Sequence, residues 1–251
     1  MRRSTRGQLL AAAALVAAVG VGTLVAPYVH LGPAEGAGAA STSAATPTSR
    51  PSASGMVAAA AASDALQDLR ALPVSDAYVP GYDRALFGQA GADVDHNGCD
   101  TRNDVLRRDL VDVVTKPGTR GCVVLSGTLH DPYTGRTIAF TRGETSSLAV
   151  QIDHRYPLAL AWRHGAASWT TEQREAFAND QTTNLIAVDG QANEDKSDSG
   201  PGEWMPQHAG DACAYATSFV AVSTKWRLSI ATDDEQALDR TLTECMTQGS
   251  K

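Results

Sequence analysis

Apolar and polar positions along the chain fall into blocks, and each block predicts an element. Leu66, Leu69 and Leu72 share one face of the stretch Ala58–Leu72, a helix that Pro73 stops. From Val105 to Val114, the residues Leu106, Leu110, Val113 and Val114 fit the apolar side of a second helix, ended by Pro117-Gly118. Cys122–Leu129 and Thr137–Thr141 read as strands. Between them Asp131-Pro132-Tyr133-Thr134-Gly135 has turn composition, so the three segments predict a hairpin with Tyr133 packed at its turn. Leu148–Asp153 and Asn184–Val188 predict two more strands. The long segment between them holds Trp162, Trp169 and Phe177 as core anchors, with Thr170-Thr171-Glu172-Gln173 as a capping-box start. Asp189–Lys196 suits a short helix stopped by Gly200-Pro201-Gly202. Tyr215–Val222 and Asp234–Met246 predict two closing helices, and Trp226–Ile230 is too short to classify.

The N-terminus has a different character. Residues 1–7 carry three positive charges, and an unbroken apolar and small-residue run follows from Leu9 to about Ala26. A basic start before such a run predicts export. The run is also long enough to span a bilayer, so a cleaved signal and a retained membrane anchor both fit residues 1–31. Residues 32–62 are nearly all Ala, Gly, Ser, Thr and Pro, which predicts a flexible linker. Residues 63–251 then form the folded domain, whose class is α+β.

Export changes the meaning of the cysteines. An even set of four, Cys99, Cys122, Cys213 and Cys245, predicts two disulfides in an oxidising compartment. Three connectivities are open. Cys99–Cys122 and Cys213–Cys245 are favoured because each pair brackets one compact segment. No CxxC spacing or histidine cluster supports zinc. The stretch from Asp93 to Asp104 carries oxygen donors at Asp93, Asp95 and Asn97, a carbonyl at Cys99 and a carboxylate at Asp104, the spacing of a calcium loop. An Asx-rich turn capping a helix near Asn103 is the competing reading. The net charge of −7 counts against simple electrostatic capture of nucleic acid. No stable protein partner is indicated.

Chemistry concentrates in residues 148–201. Asp153-His154 ends an apolar β-branched run, Asn184 opens another, and Asn193 and Lys196 follow in the helical segment. Hydrolysis of a phosphodiester needs an activated water, charge stabilisation on the phosphoryl oxygens and help for the leaving oxygen. A neutral imidazole can take the proton. A carboxylate with an amide oxygen makes a hard, partly open site for Mg²⁺ or Mn²⁺.

The pattern Asp153-His154-x-x-Pro157, Asn184-Leu185 and Asn193-x-x-Lys196-Ser197-Asp198-x-x-Pro201 resembles the HNH endonuclease motif, in the form where Asn replaces the last His. The flanking Cys99-Asp100-Thr101-Arg102, Gln151-Ile152-Asp153-His154 and Trp204-Met205-Pro206 resemble exported bacterial HNH-family proteins. That resemblance implies a ββα-metal core with additional helices and a short hairpin. It implies His154 as general base, with Asp153 and Asn193 as metal ligands. Asn184 would orient His154, and Lys196 would lie near the phosphate. The substrate implied is nucleic acid, DNA foremost and RNA beside it, cut with little sequence preference. Arg174 is a candidate phosphate contact. Two features depart from the pattern: the long insertion between His154 and Asn184, and Asn193 itself, which disfavours zinc. The rival class is a non-catalytic, calcium-stabilised extracellular module. Another exported hydrolase finds no support, since neither a nucleophile elbow nor HExxH is present.

Overall fold

The computed structural model describes residues 53–248, so the expected export segment 1–31 and the linker before Ala53 lie outside the described residues. In chain order, helix α1 spans Ala53–Ala71, and a short 3₁₀ turn covers Arg84–Phe87. Helix α2 (Thr101–Asp109) leads into strands β1 (Leu110–Thr115), β2 (Val124–His130), β3 (Thr137–Thr141) and β4 (Val150–His154). Helices α3 (Leu158–Arg163) and α4 (Thr171–Ala178) precede β5 (Leu185–Asp189). Helices α5 (Gly190–Lys196), α6 (Ala209–Trp226) and α7 (Thr232–Gln248) complete the domain. The class is α+β as expected. The antiparallel sheet β1-β2-β3 stands apart from the antiparallel pair β4-β5.

Two cores hold these elements. The larger lies among α1, α6 and α7, with Leu66, Leu69, Phe219, Leu238 and Leu242 all buried, and extends to Ile186 and Val188 of β5. The smaller seats α2 and the three-stranded sheet against the other face of the β4-β5 pair, through Leu106, Leu129, Phe140, Val150 and Ala187. Successive strand residues point to opposite faces, so the two cores can use alternate residues of one short hairpin. The β4-β5 pair is therefore held from both sides.

The segment Val105–Val114, expected to be one helix, changes state at Leu110. Its second half carries Val111, Val113, Val114 and Thr115, and β-branched residues pack better on a pleated surface than in a helix. They form β1, an edge strand pairing Leu110 with Leu129 and Thr115 with Val124. An irregularity between Val111 and Val114 coincides with Asp112 in the left-handed region at φ 53°. The linker expectation is also corrected at its end. Residues 53–62 are helical, because alanine is the strongest helix former and Ala62 is wholly buried in the helical core.

Other expectations hold. Cys99–Cys122 and Cys213–Cys245 are the disulfides, the second stapling α6 to α7. Thr170 and Gln173 form the reciprocal capping box of α4. The Asp93–Asp104 loop behaves as the Asx-turn reading describes. Asp93 accepts hydrogen bonds from Asn97 and Gly98, Asp95 is engaged by Asn97 and Gln181, and Asp104 is ion-paired with Arg107 at 2.9 Å. Asp100 of that turn caps α2, which starts at Thr101, two residues before the expected Asn103. The carboxylates expected to ligate calcium are thus engaged with donors of the chain itself.

The approach to β5 is fixed by Asp180. Its carboxylate accepts from Thr182 and Thr183 backbone N–H groups, from Lys225 at 2.8 Å and from Trp226 Nε1 at 2.9 Å. Burial alone would raise its pKa, but the hydrogen bonds from Lys225, Trp226 and Thr182 together hold it below the ordinary 3.8. The folded state thus binds the Asp180 proton less tightly than the unfolded chain. The stabilisation is present above 3.8 and is lost as pH falls through the lower folded value. Asp180→Asn should cost about 2 kcal/mol at neutral pH. In urea melts, its deficit against wild type should shrink as the buffer is taken below the ordinary carboxyl range.

Candidate active site

The site forms where β4 ends. In the register of the hairpin, Asp153 lies opposite Ile186 and His154 opposite Leu185. The alternation of the strand sends Gln151 and Asp153 toward α5, and Val150, Ile152 and His154 toward the other face. Helix α5 starts directly from β5, with the Asp189 side chain accepting from Ala192 N at 2.9 Å as its N-cap. Gly190 is required there, since a Cβ would collide with the Leu148 carbonyl oxygen. At the strand end Asp153, His154 and Asn193 all line one cleft of about 310 Å³, which Tyr82, Arg84 and Asp198 also line.

Each side chain is held by a separate device. The Asp153 carboxylate is buried. It accepts from the Tyr133 hydroxyl at 2.6 Å and pairs with the Lys196 ammonium at 3.0 Å, which also donates to the His154 carbonyl at 2.9 Å. Burial, with the Asp153 charge beside it, pushes the Tyr133 hydroxyl well above its ordinary pKa, so it stays a donor. His154 places Nε2 2.8 Å from the Ala178 carbonyl oxygen, which can only accept. The ring proton therefore sits on Nε2, and Nδ1 carries the lone pair. Burial lowers the imidazole to about 4, the nearby positive charges of Arg84 and Lys196 pushing the same way, so His154 is neutral at pH 7.

Asn193 is oriented by a relay. Its Nδ2 donates to Gln151 Oε1 at 2.7 Å, and Gln151 Nε2 donates to the Glu194 carboxylate at 3.1 Å. A carboxylate only accepts, so the relay runs one way and leaves Asn193 Oδ1 as an open acceptor. The donor set offered to a cation is one carboxylate and one amide oxygen. Among the described residues no group of three or more His, Cys, Asp or Glu side chains is placed to hold a metal ion.

The remaining expected residues stand behind the cleft or away from it. Asn184 is fully buried and grips the backbone of Tyr156, accepting from its N–H at 2.9 Å and donating to its carbonyl at 3.3 Å. It fixes the end of β4, whereas the His154 ring itself is fixed by Ala178. Lys196 has no exposed surface and faces Asp153, not the space where a phosphate would enter. Arg174 donates to the Leu86 and Ala166 carbonyls and lies 5.7 Å over the Trp162 ring, outside the cleft. It pins the 84–87 turn, and that turn presents Arg84 to the site. Arg84, Gln151 and Tyr133 are site residues that sequence reading missed in these roles. Tyr82-Asp83-Arg84 carries a faint signal in Asp83, which caps the turn through Ala85 N at 2.9 Å.

A strand ending in Asp-His, an antiparallel partner strand and a helix returning Asn to the same point define the ββα core of the HNH endonuclease superfamily. The family described as GmrSD restriction endonucleases, C-terminal domain, matches residues 100–240, and the chain belongs to it. A protein of Arthroderma benhamiae named an uncharacterized secreted protein is 39% identical over 148 residues, covering 59% of this chain and 68% of that relative. No solved structure matches.

If Lys196 is a buried counter-ion, Lys196→Met strands a buried carboxylate and should cost about 3–5 kcal/mol in urea unfolding. Adding Asp153→Asn should recover much of that loss. Two additive, small losses would instead mark Lys196 as a peripheral charge.

Proposed function

We propose that this protein is an exported, metal-dependent endonuclease that hydrolyses phosphodiester bonds of DNA with little sequence preference. One observation carries the reading: Asp153, the neutral His154 and Asn193 line one cleft at the end of a ββα hairpin-helix. Membership of a restriction-endonuclease domain family supports the nuclease class. The relative's name as a secreted protein, together with the basic and apolar N-terminus, supports export. No helix among the described residues is long and apolar enough to cross a membrane.

The donor set fits Mg²⁺ or Mn²⁺. Both accept oxygen ligands and keep positions for water and phosphate oxygens, which suits a site with only Asp153 and Asn193 Oδ1 to offer. When bound, such an ion neutralises charge on the phosphoryl oxygens and on the leaving oxygen. The chain's own residues do the rest. His154 Nδ1 accepts the proton of the attacking water while Nε2 stays anchored on Ala178. Lys196 and Tyr133 hold the Asp153 side chain in place. Asn184 keeps the backbone after His154 from shifting. The Asp93, Asp95 and Asp104 carboxylates of the calcium-like loop are engaged by donors of the chain itself.

Supercoiled plasmid incubated with the purified domain and Mg²⁺ or Mn²⁺ should be nicked and then linearised, and EDTA should stop it. His154→Ala should lower the rate by about 10²-fold or more. Undiminished cleavage by that variant would remove His154 as the base.

A further inference from the structure

The catalytic cleft is one end of a longer depression. Arg84, Ile152, His154 and Leu158 line both it and a neighbouring recess of about 450 Å³. The two ends differ in chemistry. The cleft beside Asp153 is polar. The recess is walled by Phe87, Ala90, Gly91, Ala178 and Leu185. Its volume lies within the roughly 300–1,000 Å³ of small-molecule sites.

Several polar groups around the recess are already committed. Asn179 accepts from Gly91 N and donates to the Gln89 and Glu175 carbonyls, and Thr101 donates its hydroxyl to Ala92. Arg102 donates to the Val150 carbonyl at 3.1 Å. What remains is a largely apolar slot bordered by the Arg84 and Arg102 guanidiniums, with no fixed pattern of amide or hydroxyl groups to read a base edge, and so suited to the flat ring of any base. Arg84 stands where slot and cleft join, lining both, and is exposed. A phosphate beside His154 would meet that guanidinium, and the nucleoside attached to it would lie toward the slot.

Resting on the nuclease reading above, we propose that the recess receives an unpaired nucleoside adjacent to the scissile phosphate while Arg84 holds that phosphate. A base inside a duplex is stacked and paired, and extracting it costs a few kcal/mol that a single strand does not pay. A net charge of −7 also gives no broad basic footprint to offset that cost on duplex DNA. The substrate class this selects is single-stranded nucleic acid, or duplex with unpaired nucleotides. Bases are then gripped by stacking and apolar contact, which tolerates any sequence.

The test compares a labelled single-stranded oligonucleotide, its blunt duplex and bis(4-nitrophenyl) phosphate, a phosphodiester without a nucleoside. Ala90→Trp and, as a second filling variant, Ala85→Trp are scored beside Arg84→Ala, His154→Ala and the remote control Arg240→Ala, with melting temperatures verifying the fold. Wild type should cut the single strand about tenfold or more faster than the duplex, the advantage expected of base stacking. The filling variants should lower kcat/KM on the oligonucleotide relative to the nitrophenyl ester by about tenfold, and weaken oligonucleotide binding in EDTA, read by fluorescence anisotropy. Arg84→Ala should lower kcat/KM on both substrates. Equal cutting of duplex and single strand overturns the proposal, as do filling variants that leave the substrate ratio and EDTA binding at wild-type values. If His154→Ala instead cleaves like wild type, the base assignment fails, while binding in EDTA still judges the recess independently.

Discussion

A carboxylate removed from water must be compensated, and Asp153 shows how much of the fold that requirement recruits. Its partners are Lys196 from α5 and Tyr133 from the turn between β2 and β3, elements far apart in sequence. Removing one partner of such a pair leaves a charge that the interior cannot solvate. The ammonium also reaches the His154 carbonyl, so one buried cation ties the strand end to the helix. The β2-β3 turn is itself fixed to the hairpin, because Asp131 accepts from Asp189 N at 2.8 Å and Arg136 pairs with Asp189 at 2.6 Å. Three elements converge on one oxygen pair, and the geometry of the candidate site rests on that convergence.

The insertion between β4 and β5 has a similar place in the design. It folds as α3 and α4 around an aromatic cluster in which Phe177 lies 5.4 Å from Trp169 and 5.3 Å from Trp226. Phe177 is followed by Ala178, whose carbonyl sets the His154 tautomer, and then by Asn179, which secures the wall of the apolar recess. The aromatic side chains of the insertion are core anchors, and its backbone is part of the site. A core residue one position from the imidazole's acceptor gives that carbonyl the rigidity that the proposed role of His154 as general base would need.

Much of this was legible in the sequence because it is local. The capping box of α4, the β2-β3 hairpin and the separate β4, β5 and α5 segments each follow from patterns spanning a few residues, whereas the disulfide pairing was one favoured choice among three connectivities. The strand β1 was less legible: Leu106 and Leu110 satisfy a helical period, and only pairing with β2 turns the valines after them into a strand. The motif residues Asp153, His154 and Asn193 were legible because the ββα order brings them together without help from the rest of the chain. The roles of Lys196, Asn184 and Arg174 were not, since burial decides whether a polar side chain meets substrate or holds a neighbour. Arg84 was the least visible. A lone arginine in a short turn carries no periodic signal, and its place depends on Arg174 gripping the Leu86 carbonyl.

The acidic balance of the chain, awkward for a nuclease at first sight, becomes intelligible at the scale of the cleft. Electrostatic capture of duplex DNA needs many phosphate contacts, each adding to affinity and to its salt dependence. Here several arginines are occupied with the chain itself: Arg108 with the Leu185 carbonyl, Arg155 with that of Thr183, and Arg174 with that of Leu86. They satisfy backbone carbonyls of the chain itself and offer little to a passing polyanion. Arg84 faces the cleft instead. On the proposed nuclease reading, a site built this way would draw on a divalent ion, the Arg84 guanidinium and shape rather than on a basic surface. Specificity then falls on whichever strands can present a phosphodiester with its flanking nucleoside free, and the overall charge sets only how often they arrive.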